Sequence, residues 1–423
     1  MEIEAAIGKK TGRWRALAAL RHRNFRLFWS GQLISLMGTW MQNMAQGWLV
    51  LQMTNSPFLL GVVSAVQFTP LLVLALVAGV VADRVPRRRL LIFTQTSLML
   101  LAFILGVLTL TGVVRFWMVL ILAGLLGTVN TFDMPARQSF VVEMVGKEDL
   151  MNAIALNSSI FNAARIVGPA LAGLVIGRLG MAASFLLNGA SFIAVIAGLL
   201  LIRVPEKTDL VNARRPAVKQ VGEKIVEGLR YIRRTPIVLH TITLMALLSI
   251  FAMNFTVLIP VLARDTLGQQ AEGYGLLMSA SGVGALGGAL LLAVLSSRGP
   301  RLRLLLGGAA GLCLFQLLLA STRSYNLALL FLGFTGWSMI TFTASVNTTL
   351  QLNVPDNLRG RVMSVYSLVF GGVTPIGSLF SGSIAHLWGA PAGLAAGATL
   401  GLISLLAVTS ALRKTRLTIL RSS

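Results

Sequence analysis

Charge is scarce in this sequence. Only 12% of its 423 residues are Asp, Glu, Lys or Arg, about half the share in a soluble globular chain. Acids are scarcer still, 14 against 36 Lys and Arg. Cysteine is nearly absent. The single Cys313 lies inside an apolar run, which excludes a disulfide framework and a Cys-based metal site. His22, His240 and His386 sit at or beyond the ends of apolar runs, with no pair at metal-ligand spacing. There is no G-x-x-x-x-G-K-[ST] phosphate loop and no Ser with a plausible base inside an apolar run, which argues against an ATP-driven pump and an enzyme. Residues 1–26 are basic but lack a short apolar core and an A-x-A site, so no cleavable signal peptide is expected.

What the chain does have is hydrocarbon. It is 55% hydrophobic, and the apolar residues gather into runs of about 20, each long enough to cross ~30 Å of bilayer. A membrane barrel would instead show ~10-residue alternating segments. Spans are expected at 27–51, 58–81, 89–111, 116–136, 152–177, 182–202, 237–262, 273–296, 302–321, 326–351, 362–385 and 393–411. Twelve crossings put both termini on one side. That side carries 31 of the 36 Lys and Arg, the other side four, and Arg165 lies within a span. The imbalance predicts cytoplasmic termini. The net charge of +22 sits in short segments between spans, which argues against nucleic acid as a partner.

The one long polar segment, 203–236, divides the chain into 27–202 and 237–411, six spans each, flanked by a segment 1–26 and a tail 412–423. Its stretch VGEKIVEGLRYIRR spaces Val221, Ile225, Val226 and Leu229 as an amphipathic helix lying on the cytoplasmic face, and RWRALAALRHRNFRLF has similar character. The halves resemble each other. ADRVPRRR (82–89) matches SSRGPRLR (296–303), and 145–173 matches 354–382 at an offset of 209, pairing Ser158 with Ser367, Gly168 with Gly377 and Gly173 with Gly382. A duplicated six-helix unit is a transporter signature. The fold expected is therefore an all-α membrane protein of twelve transmembrane helices in two pseudo-symmetric six-helix bundles.

The stretch GVVADRVPRRR (79–89) concentrates five charges at the inner end of the second span. The C-terminal end of that helix does not favour Asp83. A carboxylate there fits if it faces the positive end of another helix, and span 11, expected to begin near Met363 to Ser367, offers one. Gly79 would allow close approach. Gly79, Asp83, Arg84, Arg87 and Arg88 resemble the signature between helices 2 and 3 of the major facilitator superfamily, with Pro86 where that family usually has Gly. The resemblance implies a lock that holds the halves together on the cytoplasmic side in the outward-facing state, with Arg84 and Arg87 orienting Asp83 and reaching Asp133. For the basic run, a simple positive-inside anchor is the other reading. The second half has Ala293 and Ser297 at the Gly79 and Asp83 positions, so the lock should be one-sided.

RIVGPALAG (165–173) resembles the superfamily's exporter motif in helix 5: Pro169 kinks the span, and Gly168 and Gly173 leave a smooth face for helix 8, SASGVGALGGA (279–289). The resemblance implies that this interface seals the outer side in the inward-facing state. With LRHRNFRLFWSGQLIS (20–35), FDMPARQSFVVEMV (132–145) and NLRGRVMSVY (357–366), the chain is similar to the enterobactin-exporter-like branch, which includes macrolide efflux proteins.

A moderately polar cavity between the halves is expected from Asn43, Gln46, Gln67, Asn130, Asn162, Arg165, Asn254 and Asn347, with aromatic and Met side chains adding adaptable apolar surface. Arg165 has two readings: it binds backbone carbonyls freed at Pro169, or an anionic group on cargo. The function expected is secondary export of small amphiphilic molecules (siderophore, macrolide or other drug) by alternating access. A flippase or a non-transporting receptor on the same fold are the alternatives. Kinship implies proton antiport, although only Asp83 and Asp133 come near the spans. The expected setting is the bacterial inner membrane, as a monomer, with no cofactor and no metal.

Overall fold

The computed structural model describes residues 17–203, 218–295 and 302–422, with side chains from Val226 to Val294 in the second stretch and to Leu412 in the third. Among the described residues there are helices and no strands. The first half comprises α1 (Arg23–Thr54), α2 (Pro57–Arg84), α3 (Arg87–Leu110), α4 (Phe116–Val145), α5 (Leu150–Leu179) and α6 (Met181–Leu201). A linker helix, α7 (Val218–Arg234), follows. The second half comprises α8 (Pro236–Phe251), α9 (Phe255–Val261), α10 (Ala271–Leu295), α11 (Leu302–Ser321), α12 (Tyr325–Asn353), α13 (Asp356–Gly372) and α14 (Thr374–Ser422).

Ten helical segments among the described residues are long and apolar enough to cross a bilayer. The segment Asp356–Leu412 reverses at Gly389 and so crosses twice, and α1, more polar but 32 residues long, completes the twelve. Two of the reversals come from the same device. Gly180 (φ 84°) separates α5 from α6, and Gly389 (φ 84°) separates spans 11 and 12 at the same 209-residue offset. Only a residue without Cβ takes that conformation freely.

The repeat reappears in the packing. Gly168 of α5 presses on α1 at Trp40 and Met37, and its counterpart Gly377 presses on α8 and Asn254. Gly173 presses on Ala271 and Glu272 of α10, and its counterpart Gly382 presses on Pro57 and Gly61 of α2. The two halves therefore meet along two equivalent seams, α5 with α10 and α2 with α14. Within each half, α1 packs on α6 and α5, α2 on α4, and α11 on α12 and α14. The outer faces of α3 and of the last span are aliphatic and exposed (Ile104, Val107, Ile403, Leu406), as a hydrocarbon solvent requires.

Three expectations need correction. Span 7 is not one helix: α8 stops at Phe251, α9 begins at Phe255, and a π turn (Leu262–Thr266) follows. The break leaves the Ala252 carbonyl free, and buried Gln316 donates to it at 3.1 Å. Span 11 begins at Asp356 rather than near Met363 to Ser367, because Pro355 and Asp356 start the helix in water before the apolar run begins. Its positive end thus lies ~10 Å farther out than hydropathy suggests. Similarly α4 runs nine residues beyond 136, through Arg137 and Glu143.

The linker contains the helix α7. It docks on the start of α13, where Gly228 meets the Arg361 backbone, Glu227 pairs with Arg361, and Tyr231 donates to the Asn353 carbonyl at 3.0 Å. Val221 and Ile225 side chains, residues 1–16, the segment 204–217 and most of SSRGPRLR (296–303) lie outside the described residues.

Candidate functional site

The tightest contacts between the halves lie toward the ends of the spans away from the chain termini, here called the distal face; at mid-span α13 also meets α2, with Gly371 against Leu71 and Gly372 against Leu72, and the linker helix touches α2. On the α2 seam, Gly61 lies so near the Ser378 carbonyl that an added Cβ would sit 2.5 Å from it, and the Ser64 and Ser378 hydroxyls hydrogen-bond at 2.8 Å. On the α5 seam, Gly275 meets the Pro169 carbonyl and Ser279 donates to the Ile166 carbonyl at 2.6 Å. Pro169 has no N–H to give the Arg165 carbonyl, and Gly282 packs directly against that oxygen. Small residues on both helices permit these approaches.

Above the membrane middle the closure is completed by two pairs that sequence reasoning missed. Trp48 of α1, 1% exposed, stacks on Tyr274 of α10 with ring centroids 5.6 Å apart. Beyond them Arg264 of the π turn donates to the Leu51 carbonyl at 2.9 Å and to Asn55 Oδ1 at 2.6 Å. A guanidinium at the C-terminal end of α1, where the helix dipole is negative, adds a second donor to the Leu51 carbonyl, which already accepts from the Asn55 N–H. In the sequence Arg264 was visible only as one of four basic residues on the far side.

Beneath this roof lies a cavity of about 190 Å³, lined by Trp40, Asn43, Gln46, Gln67, Phe68 and, from the other half, Thr256, Tyr274 and Met278. Asn43, Gln46 and Gln67 are thus brought together, and Gln46 donates to Gln67 at 3.0 Å. The other expected lining residues are not part of that cavity. Asn254 is buried against Gly377 and donates to the Ile250 carbonyl at 2.6 Å, because it closes the break in span 7. Asn162 donates to Ser158 on its own helix, Asn347 accepts from Gln351 at 2.5 Å, and Asn130 is exposed on α4.

Arg165 is the sixteenth residue of α5, ~22 Å from the start of that helix. Its Nη2 is buried without a hydrogen-bond partner, and the guanidinium bonds neither to carbonyls freed at Pro169 nor to any acid among the described residues.

On the terminal face the motif residues split. Gly79 has nothing within 4 Å of the Cβ position, and Asp83 and Arg84 are exposed without partners among the described residues. Arg87 pairs with Glu143 of α4 rather than reaching Asp133. Arg88 donates to the Leu199 and Leu200 carbonyls at 2.7 and 2.8 Å, capping α6. Asp133, 2% exposed, accepts from Thr94 and Gln95 at 2.7 Å and pairs with Arg137, which also donates to Gln32. Asp133 is therefore a clasp joining α1, α3 and α4 within the first half, already saturated before Arg84 or Arg87 could reach it.

Comparison with known proteins agrees with this architecture. The family described as "Transmembrane secretion effector" matches residues 14–422. The staphyloferrin A transporter of Staphylococcus aureus is 27% identical over 373 residues, covering 86% of this chain and 90% of that one. The multidrug efflux pump Tap of Mycolicibacterium fortuitum is 29% identical over 358 residues, covering 81% and 84%. Among solved structures, the nucleoside transporter NupG superposes with a TM-score of 0.74 at 13% identity, covering 93% of this chain and 99% of that one, a likeness of fold.

Proposed function

The chain belongs to the transmembrane secretion effector family of major facilitator transporters, and from that premise we propose that it is a secondary exporter of small amphiphilic molecules working by alternating access. The observation that carries the reading is the asymmetry of closure. The distal face is sealed along both seams and by Arg264, while Gly79 and Asp83 stand uncovered on the terminal face. With the termini in the cytoplasm of a bacterial inner membrane, as the 31-to-4 basic imbalance favours, this is the state that takes up cargo from inside. Opening outward then brings Asp83 against the first turn of α13, at Asp356 to Arg359.

Export is supported by the relatives, one named as a siderophore transporter and one as a multidrug efflux pump. Proton antiport is the coupling this kinship favours. Asp83 is the acid suited to it, being free in the described state and desolvated in the lock, whereas Asp133 is tied down by three partners. Transport requires no second subunit in this scheme, so the working unit is a monomer.

The test is transport in proteoliposomes with and without an imposed pH gradient, using siderophores, macrolides and cationic dyes. Gradient-dependent movement of at least one compound is expected. Movement of none, with correctly folded protein, would count against export.

A further inference from the structure

Arg165 carries a charge that no acid among the described residues answers. We propose that it is the anion-recognition group of the cargo site, and that the cargo presents an oxyanion, a carboxylate or phosphate, to it. The proposal rests on the exporter reading and specifies its substrate class.

The placement follows from helix geometry. Phe161 and Gly168, one turn to either side of Arg165, both touch Trp40, which lines the cavity. Ile166, Pro169 and Gly173 on the adjoining face of α5 touch α10, which supplies Tyr274 and Met278 to the same cavity. Arg165 therefore lies on the strip of α5 between α1 and α10, just on the terminal side of the cavity, where a molecule entering from the open face must pass.

The chemistry is equally constrained. A guanidinium carries five N–H donors and does not give up its proton in a protein. A buried guanidinium normally has a carboxylate or several carbonyls, yet Nη2 here has neither. The acids on the spans of this half are engaged elsewhere, Asp133 with Arg137 and Glu143 with Arg87. Asp83 lies at the terminal face and Glu272 at the distal one, and no acid lines the cavity. An uncompensated charge at this depth is costly and marks a functional site. The fork geometry of arginine suits bidentate binding of carboxylate or phosphate. Asn43, Gln46 and Gln67 beyond it offer neutral donors and acceptors, and Trp40, Phe68 and Met278 offer apolar surface, so the occupant is an amphiphile with one anionic end.

The experiment uses the full chain in phosphatidylcholine nanodiscs and two dyes on one xanthene scaffold, anionic carboxyfluorescein and cationic rhodamine 6G, read by fluorescence anisotropy. The wild type is expected to bind carboxyfluorescein at least tenfold more tightly than rhodamine 6G. Arg165→Gln should weaken carboxyfluorescein at least tenfold and leave rhodamine 6G within about twofold, while Arg165→Lys keeps part of the preference. Removing an unpaired charge should also raise the melting temperature of Arg165→Gln, whereas a structural arginine would lower it. Equal carboxyfluorescein binding by wild type and Arg165→Gln, or a lowered melting temperature, overturns the proposal. A repeat in phosphatidylglycerol nanodiscs tests the source of the oxyanion. Unchanged dye binding supports cargo, and loss of the Arg165-dependent part to the anionic lipid overturns it in favour of a headgroup. Rhodamine 6G transport by the same protein in proteoliposomes separates the two readings, since its persistence with no anion preference leaves export standing and this inference refuted.

Discussion

Arg264 and Asn55, 209 residues apart in sequence, are joined by a 2.6 Å hydrogen bond from guanidinium to side-chain carbonyl that ties the second half to the first across the distal face. The same guanidinium caps the last turn of α1 at the Leu51 carbonyl, and Asp265 holds it from behind. The arrangement is the electrical inverse of the one inferred for the terminal face. There an acid would meet the positive end of a helix, and here a base meets the negative end of one. Each contact can exist only while its own face is shut.

The first prediction concerns this contact. Arg264→Ala removes two charge-assisted hydrogen bonds that cross the halves, worth about 1–2 kcal/mol in a partly exposed setting. The equilibrium should move about 5- to 30-fold toward the outward-open state. Accessibility of an engineered cysteine at Gly47 to a membrane-impermeant thiol reagent added outside checks this, in a Cys313→Ala background. An unchanged labelling rate would show that Arg264 does not hold the face.

The seams make a second prediction. Gly61→Val sets a branched side chain against the Ser378 carbonyl, where even a Cβ would come within 2.5 Å of backbone. Overpacking of this kind costs about 1–3 kcal/mol. The distal face should fail to close, with efflux falling and outside labelling of the cavity rising. Gly307, whose Cβ position is open, tolerates the same replacement and serves as the control.

A third prediction separates the clasp from the lock. Asp133→Leu leaves Arg137 without its acid inside the first half. Breaking a buried pair by removing one partner costs about 3–5 kcal/mol, less here because the Arg137 side chain is 27% exposed. Folded yield and melting temperature should drop. Asp83→Asn should change neither, since Asp83 has no partner among the described residues in this state, yet it should abolish efflux. If both variants lose stability equally, the two acids do not have the separate roles assigned here.

Much of the fold was legible because hydrocarbon leaves the chain few options: a run of apolar residues must be a helix, and Lys and Arg mark one side. The repeat was legible because close packing fixes glycines. Gly168 and Gly173 reappear at Gly377 and Gly382 facing equivalent helices. The ends of helices were less so. Hydropathy reports where lipid begins, while Pro355 and Asp356 set where α13 begins, in water. Partners across the bundle were least legible. Nothing local distinguishes Asn43, which lines the cavity, from Asn254, which closes a broken helix, or tells that Arg87 meets Glu143. Those outcomes depend on helix rotation and tilt, which are set by neighbours.

The decisive measurement is the distance between spin labels placed across each face of the same protein, in a Cys313→Ala background. One pair, at Glu148 and Asn357, spans the terminal face, and the other, at Thr111 and Arg323, spans the distal face. In the wild type each pair should give a short and a long population, the terminal pair short when the distal pair is long. Asp83→Asn should deplete the short terminal population and enrich the short distal one. Distributions that Asp83→Asn leaves unchanged, or faces that open and close together, would contradict alternating access governed by that acid.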